Sequence, residues 1–159
     1  MPMSGRRVLF SALGIAVAGL GFVAGWPRLA AQIWNADASA TTVAQGKTLY
    51  AKHCATCHGA KLEGQRDWKS PLASGRMPAP PHDASGHTWH HADGVLFRIT
   101  KEGPAAVVGG GYKSDMRGFG NIMSDDDIRA VIAFIKSTWP EQEREYQAEM
   151  SRREREKTQ

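Results

Sequence analysis

The alternation of apolar and polar residues divides the chain into three unlike parts. Val8–Trp26 is a run of 19 residues that contains no charged side chain. Residues 42–140 mix short periodic segments with stretches rich in Gly and Pro, and residues 141–159 are almost entirely Glu, Arg, Gln and Lys. The pattern therefore predicts an apolar N-terminal segment, one small domain and a charged tail. Residues 1–7 form a short basic N-terminus, and residues 27–41 form a linker.

The clearest helix of the domain is predicted before Pro140. Its apolar residues recur at i, i+3, i+4 and i+7, so that they share one buried face: Ile128, Val131, Ile132 and Ile135. Ser124 is the expected N-cap, and the three aspartates that follow it lie where the helix dipole favours negative charge.

Two shorter helices are expected upstream. Thr42 and Gln45 have the spacing of a capping box, which predicts a helix from Thr42 to near His53. Asp93 is a candidate N-cap for a second helix, which ends at Glu102 before a Gly-Pro pair.

The segments between these helices are rich in residues that interrupt regular structure. Residues 62–91 contain four prolines and three glycines, and residues 105–123 contain five glycines. Such a density of Pro and Gly excludes long helices and predicts irregular loops. Because helices are the only elements predicted, the expected fold class is all-α.

The apolar N-terminal segment is predicted to be a transmembrane anchor. At 1.5 Å per residue, Val8–Trp26 forms a helix about 28 Å long, close to the thickness of the bilayer hydrocarbon core. Arg6 and Arg7 precede it and only Arg28 follows closely, so the N-terminus is expected in the cytoplasm and the domain outside. The alternative is a cleaved signal peptide, whose apolar stretch is usually shorter. In both interpretations the domain is exported, and its expected location is the outer face of the inner membrane.

The charge of the chain excludes few classes of function. The formal net charge is +4 and the isoelectric point is about 9.3. The basic residues do not form the clustered stripe of a nucleic-acid-binding protein. The charged tail is predicted to be a solvated or fraying helix.

The only two cysteines of the chain are Cys54 and Cys57, and His58 follows at once. A disulfide between them would close too small a loop to stabilise a fold, so the two cysteines are expected to have a chemical rather than a structural role. The C-x-x-C-H sequence is typical of covalent attachment of haem c, with the histidine as an axial ligand of the iron. A redox dithiol would follow a strand, and a zinc site would need further soft ligands, so both alternatives fit less well.

From Thr42 to Trp139 the chain resembles a class I c-type cytochrome. In that family the first helix carries a glycine and an aromatic residue four positions apart before the haem motif, as Gly46 and Tyr50 do here. The last helix of the family crosses the first at this glycine through an aliphatic and an aromatic residue, matched by Val131 and Phe134. The resemblance implies three or more helices around one covalently attached haem c.

The resemblance also implies a methionine as the second axial ligand of the iron. Met116 lies in the glycine-rich loop before the last helix, where the family has this ligand, although Arg117 stands where proline is usual. Met77, a histidine or an open site are the alternatives, and Met123 is expected to pack in the core. The family often holds the haem histidine through a proline carbonyl, and the sequence leaves several candidate prolines.

A histidine-rich segment follows these prolines and contains His82, His87, His90 and His91. Two or three imidazoles could bind a second metal such as copper or zinc, and one could ligate the iron. The simpler interpretation is that they cap turns, line the haem or face solvent. Trp68 and Trp89 are expected to pack in the haem pocket.

By this resemblance, the expected function is one-electron transfer by a carrier that is not itself an enzyme. The expected partners are a cytochrome bc complex, a terminal oxidase or a periplasmic dehydrogenase. Four lysines expected near the haem edge would either steer an acidic partner or serve as ordinary solubilising charge: Lys47, Lys52, Lys61 and Lys113. The alternatives are a fixed subunit of a larger oxidoreductase, a haem enzyme or gas sensor with a labile sixth ligand, and a metal-handling protein.

Overall fold

The computed structural model describes residues 38–158. The predicted N-terminus (residues 1–7), the predicted membrane segment (residues 8–26) and most of the predicted linker lie outside the described residues. Within residues 38–158, no helix combines the length and apolar character needed to cross a membrane.

Six α-helices and one short 3₁₀ helix form the secondary structure of the described residues, which contain no strand. The helices, in chain order, are α1 (Ala40–His53), α2 (Ala55–His58), the 3₁₀ helix (Thr88–His90), α3 (Asp93–Glu102), α4 (Pro104–Val108), α5 (Asp125–Ser137) and α6 (Glu141–Lys157). The described part of the chain therefore confirms the all-α class.

The first and last helices of the predicted domain, α1 and α5, form the most extensive helix pair. They cross at Gly46, where an added Cβ would lie 1.9 Å from the carbonyl oxygen of Ala130 and 2.9 Å from the Cβ of Phe134. Only glycine lets the two backbones approach this closely.

Helix α5 confirms its prediction in detail. Ser124 accepts a hydrogen bond from the N–H of Asp127, and the Asp127 carboxylate accepts one from the N–H of Ser124, which completes a capping box. The four predicted aliphatic residues are all buried. Together with other helix and loop side chains they form one hydrophobic core: Tyr50, Leu62, Leu96, Phe119, Met123, Ile128, Val131, Ile132, Phe134, Ile135 and Trp139.

The predicted N-cap of α1, Thr42, was wrong by three residues. Ser39 is the N-cap, and its hydroxyl accepts from the N–H of Thr42 (3.1 Å). Gln45 makes no capping box with Thr42, because its side-chain amide donates to Asp127 at the start of α5 (2.8 Å). A tertiary contact thus uses the side chain that local spacing assigned to the cap.

Helix α3 has the predicted end but a different cap. Asp93 is its first helical residue, and Ala92 at the N-cap position has no side chain that accepts a hydrogen bond. The missing acceptors come from α6: Ser151 accepts from the N–H of Asp93 (3.0 Å), and Glu154 accepts from the N–H of Gly94 (2.9 Å). The free donors of the first turn are therefore satisfied by a distant helix.

The predicted glycine-rich loop after α3 contains a further helix, α4. Pro104 occupies its first turn, where the missing N–H has no cost, and Gly109 ends it with φ +69°.

The charged tail is a docked helix, and the prediction of a solvated or fraying one was wrong for its inner face. Gln147 and Ser151 of α6 are buried, with 0% and 2% of their surface exposed. The Gln147 amide donates to Asp93 (2.8 Å), which also accepts from the ammonium of Lys136 (2.6 Å). A few polar residues hold α6 against α3, and the ring of Tyr146 packs edge-on against Trp89 of the 3₁₀ helix (centroids 5.4 Å apart).

Ser151→Ala is expected to lower the free energy of unfolding by about 1 kcal/mol, the usual cost of losing an N-cap acceptor. The reason is that the buried N–H of Asp93 would lose its acceptor. Urea unfolding followed by far-UV circular dichroism measures the change. Ser137→Ala, at an exposed position at the end of α5, is the control and should change the value by less than about 0.5 kcal/mol. Equal values for the two variants would contradict the capping role.

Candidate functional site

The Cys54–His58 motif lies at the junction of α1 and α2. The N–H of Cys57 and the N–H of His58 both donate to the carbonyl of Cys54 (3.1 and 2.9 Å), so the motif forms one helical turn. Residues three and four apart lie on the same side of such a turn. The two thiols and the imidazole therefore lie on the same side of this turn.

The two thiols differ in environment. Both cysteines are free; Cys54 is half-buried and Cys57 is exposed. Burial, with a smaller contribution from Cys57, raises the pKa of the Cys54 thiol to about 11. Cys54 is thus protonated at neutral pH.

The His58 side chain is buried and held by one hydrogen bond. Its Nδ1 lies 2.8 Å from the carbonyl oxygen of Pro80. Because a carbonyl only accepts, Nδ1 carries the proton, which leaves the lone pair on Nε2. Burial lowers the pKa of His58, and the bond to Pro80 opposes this only in part. The ring is therefore neutral and offers Nε2 as a ligand atom.

Pro80 is held in place by its neighbours along the loop. The N–H of Gln65 donates to the carbonyl of Ala79 (2.8 Å), and the Gln65 side chain accepts from the N–H of Ala79 (2.9 Å). An added Cβ at Gly64 would lie 2.4 Å from the nitrogen of Pro81, so this position requires glycine. The structure thus selects Pro80 from the candidate prolines for the bond to His58.

Tyr50 links the first helix to the motif. Its hydroxyl donates to the carbonyl of Gly59 (3.0 Å), and burial raises the pKa of this phenol above its ordinary value. Gly59 ends the motif with φ +82°, a conformation that favours glycine.

Met116 lies on a loop that is fastened to the end of α3. The N–H of Phe119 donates to the carbonyl of Thr100 (2.9 Å), and the N–H of Gly120 donates to the carbonyl of Lys101 (3.0 Å). Met116 is partly buried and packs against the hydrophobic core.

The two other candidate methionines have different environments. Met77 is exposed over 37% of its surface, whereas Met123 is buried in the core, as predicted. Of the three methionines, Met116 is thus the one that is partly buried at the edge of the core.

The histidine-rich segment forms aromatic stacks. His87 stacks on Trp68 (ring centroids 5.2 Å apart), and His90 stacks on Trp89 (3.7 Å). Burial, reinforced by neighbouring imidazoles, lowers the pKa of His87 and of His91. In residues 38–158, no three His, Cys, Asp or Glu side chains converge as a metal site would require. The described contacts of His87 and His90 are thus packing contacts with tryptophan rings.

One contact at the site was missed by the sequence analysis. The ring of His82 stacks on the ring of His58, with centroids 4.0 Å apart and planes inclined by 23°. No spacing rule indicates this pairing, since the two residues are 24 positions apart on either side of an irregular loop. The density of histidines was the only available signal.

The residues fit a covalently attached haem on three structural grounds. Both thiols are free and lie on one helical turn with the imidazole. The bond between His58 and Pro80 leaves Nε2 available as a ligand atom. A partly buried thioether, Met116, is present in a fastened loop.

A family model described as Cytochrome c matches residues 43–139, and the chain belongs to this family. The cofactor is accordingly covalently attached haem c, and members of the family usually carry electrons. No significant match was found among curated proteins or among solved structures. Helix α6 lies beyond the residues that the family model covers.

Proposed function

We propose that this protein is a membrane-tethered electron carrier in which Cys54 and Cys57 bind the haem and His58 and Met116 ligate its iron. The observation that carries the proposal is the hydrogen bond from His58 Nδ1 to Pro80, which fixes the tautomer needed for ligation through Nε2. The bound haem supplies reversible one-electron chemistry.

The role of the protein side chains is to position the haem and the ligands of its iron. Cys54 and Cys57 fix the porphyrin to the turn after α1, and Pro80 orients the His58 imidazole. The Met116 loop, fastened to α3, would supply a soft thioether as a ligand for the iron, and such a ligand would raise the reduction potential. No side chain is needed as acid, base or nucleophile.

The location and the partners are further parts of the proposal. The apolar run Val8–Trp26 supports an anchor in the inner membrane with the haem domain outside. An anchor keeps the carrier near its partners and raises their effective concentration. The proposed partners are a cytochrome bc complex, a terminal oxidase or a periplasmic dehydrogenase. All four lysines near the motif and the ligand loop are exposed, which supports an acidic docking partner: Lys47, Lys52, Lys61 and Lys113.

Met116→Ala is expected to abolish the weak absorption band that a sulfur–iron bond gives at the near-infrared edge in the ferric protein. The reduction potential should fall by at least about 0.1 V, since axial ligands tune haem potentials over about 0.8 V. Optical spectra of the haem-loaded protein in both redox states, with a potentiometric titration, measure both effects.

Met77→Ala is the matched control, because Met77 is an exposed methionine and is expected to leave band and potential unchanged. A band that survives in Met116→Ala would refute the proposed ligand. A wild-type protein without the band would instead indicate either a histidine as the second ligand or the labile sixth position of a haem enzyme or sensor.

A further inference from the structure

The ring of His82 lies almost flat against the ring of His58, on the same imidazole that Pro80 holds through Nδ1. Tyr50 also contacts the His82 ring edge-on, with 6.1 Å between the centroids and 73° between the planes. The proposed axial ligand is thus in contact with a second imidazole, which is itself partly buried.

Three hydrogen bonds hold His82 in this position. Its N–H donates to the carbonyl of Leu62 (2.8 Å), and its carbonyl accepts from the indole N–H of Trp139 (2.7 Å). Its Nδ1 lies 2.9 Å from the hydroxyl of Thr88, which is buried with 7% of its surface exposed. Because the backbone and the ring of His82 are both fixed, the His82 ring gives the His58 ring a rigid packing partner.

Thr88, the hydrogen-bond partner of the His82 ring, is held in place by helix α6. Thr88 begins the 3₁₀ helix, which packs against α6. The Gln147 amide of α6 also donates to the carbonyl of His91, just after the 3₁₀ helix (3.2 Å). A continuous set of contacts therefore runs from α6, outside the family match, through Thr88 and His82 to His58.

A single hydrogen bond fixes one atom of a ring but leaves the ring free to tilt about that atom. A flat, immobile ring against the face of the imidazole removes this freedom, because tilting would drive the two rings into each other. The orientation of an axial imidazole determines how its π orbitals overlap with the iron orbitals, so it is visible in the spectra of the ferric state.

We propose that His82 is a positioning residue for the axial histidine, fixing the plane of the His58 ring by stacking while Thr88 and α6 hold His82 in place. This inference rests on the proposed function, since it assumes that His58 ligates the iron. It assigns a role to a histidine and to a tail helix that the haem motif itself does not include.

The test compares His82→Leu, His82→Phe and Thr88→Val in the haem-loaded full chain. His82→Leu removes the flat ring, whereas Thr88→Val keeps the ring and removes its hydrogen bond to Thr88, together with the weaker bond that Thr88 donates to the carbonyl of Pro81 (3.4 Å). Both are expected to change the ferric electron paramagnetic resonance g-values. They should also change the reduced-to-oxidised ratio at the wild-type midpoint potential by about twofold or more, since groups beside an axial ligand tune a haem. His82→Phe keeps a flat ring and should lie closer to wild type than His82→Leu.

His87→Leu is the matched control, because His87 lies in the same segment and stacks on Trp68 rather than on His58. It should leave the g-values unchanged. Wild-type g-values and midpoint in both His82→Leu and Thr88→Val, with haem bound, would overturn the positioning role. Thr88→Val decides the question alone if His82→Leu does not fold.

Failure of the proposed function is recognised separately, in the wild-type protein. Labelling the histidines with ¹⁵N should reveal an imidazole nitrogen coupled to the ferric iron, and this coupling should be lost in His58→Ala. Absence of this coupling refutes ligation by His58. Its presence in wild type, together with unchanged spectra in the His82 and Thr88 variants, refutes only the positioning role.

Discussion

Gly46→Ala is expected to destabilise the protein by about 3 kcal/mol or more, at the upper end of the cost of overpacking a core. In an isolated helix this substitution would stabilise by about 1 kcal/mol, because alanine has the higher helix propensity. Here the new Cβ would lie 1.9 Å from the carbonyl oxygen of Ala130 and 2.5 Å from its carbon. Both are backbone atoms of α5, which cannot move without separating the two helices. Urea unfolding of the haem-loaded protein measures the loss.

Gly94→Ala is the matched control, since Gly94 is also a helical glycine. The nearest atoms to its added Cβ would belong to the end of the Glu154 side chain, at 2.6 Å, which is flexible and can move aside. The gain in helix propensity and the disturbed bond to Glu154 should leave a net change within about 1 kcal/mol. Similar losses in the two variants would show that the close approach of α1 and α5 is not what requires glycine.

Asp93→Ala is expected to cost about 3–5 kcal/mol, the range for removing one partner of a buried ion pair. Only 7% of the Asp93 side chain and 27% of the Lys136 side chain are exposed. The substitution would leave the Lys136 ammonium without its carboxylate and the buried Gln147 amide without its closest acceptor. The loss should appear as a lower urea midpoint with an unchanged slope.

Asp125→Ala tests whether the effect comes from burial rather than from charge. Asp125 pairs with Lys101 at 2.7 Å, nearly the same distance, but 47% and 39% of their side chains are exposed. Exposed pairs contribute about 0–1 kcal/mol. If Asp125→Ala were as costly as Asp93→Ala, the packing of α6 against α3 would not depend on the buried carboxylate.

Features with a local cause could be predicted from the sequence. Helix α5 follows from its apolar period and from Ser124, both of which act within a few residues. The presentation of Cys54, Cys57 and His58 on one turn follows from their spacing alone.

Features that depend on distant partners could not be predicted. Helix α6 buries Gln147 and Ser151, which are polar and resemble surface residues, because their partner Asp93 lies more than 50 positions upstream. The same holds for His82, whose contact with His58 arises from the path of an irregular loop. A pattern along the chain carries no information about such pairs.

The tertiary cap of α3 links folding to the order in which the chain is made. A chain grows from its N-terminus, so Asp93 and Gly94 emerge well before Ser151 and Glu154. Until Ser151 and Glu154 emerge, the N–H groups at the start of α3 can bond only to water, and α6 does not yet cover the histidine-rich segment. The first turn of α3 therefore gains its acceptors only after α6 has emerged, when the Cys54–His58 motif has already been made.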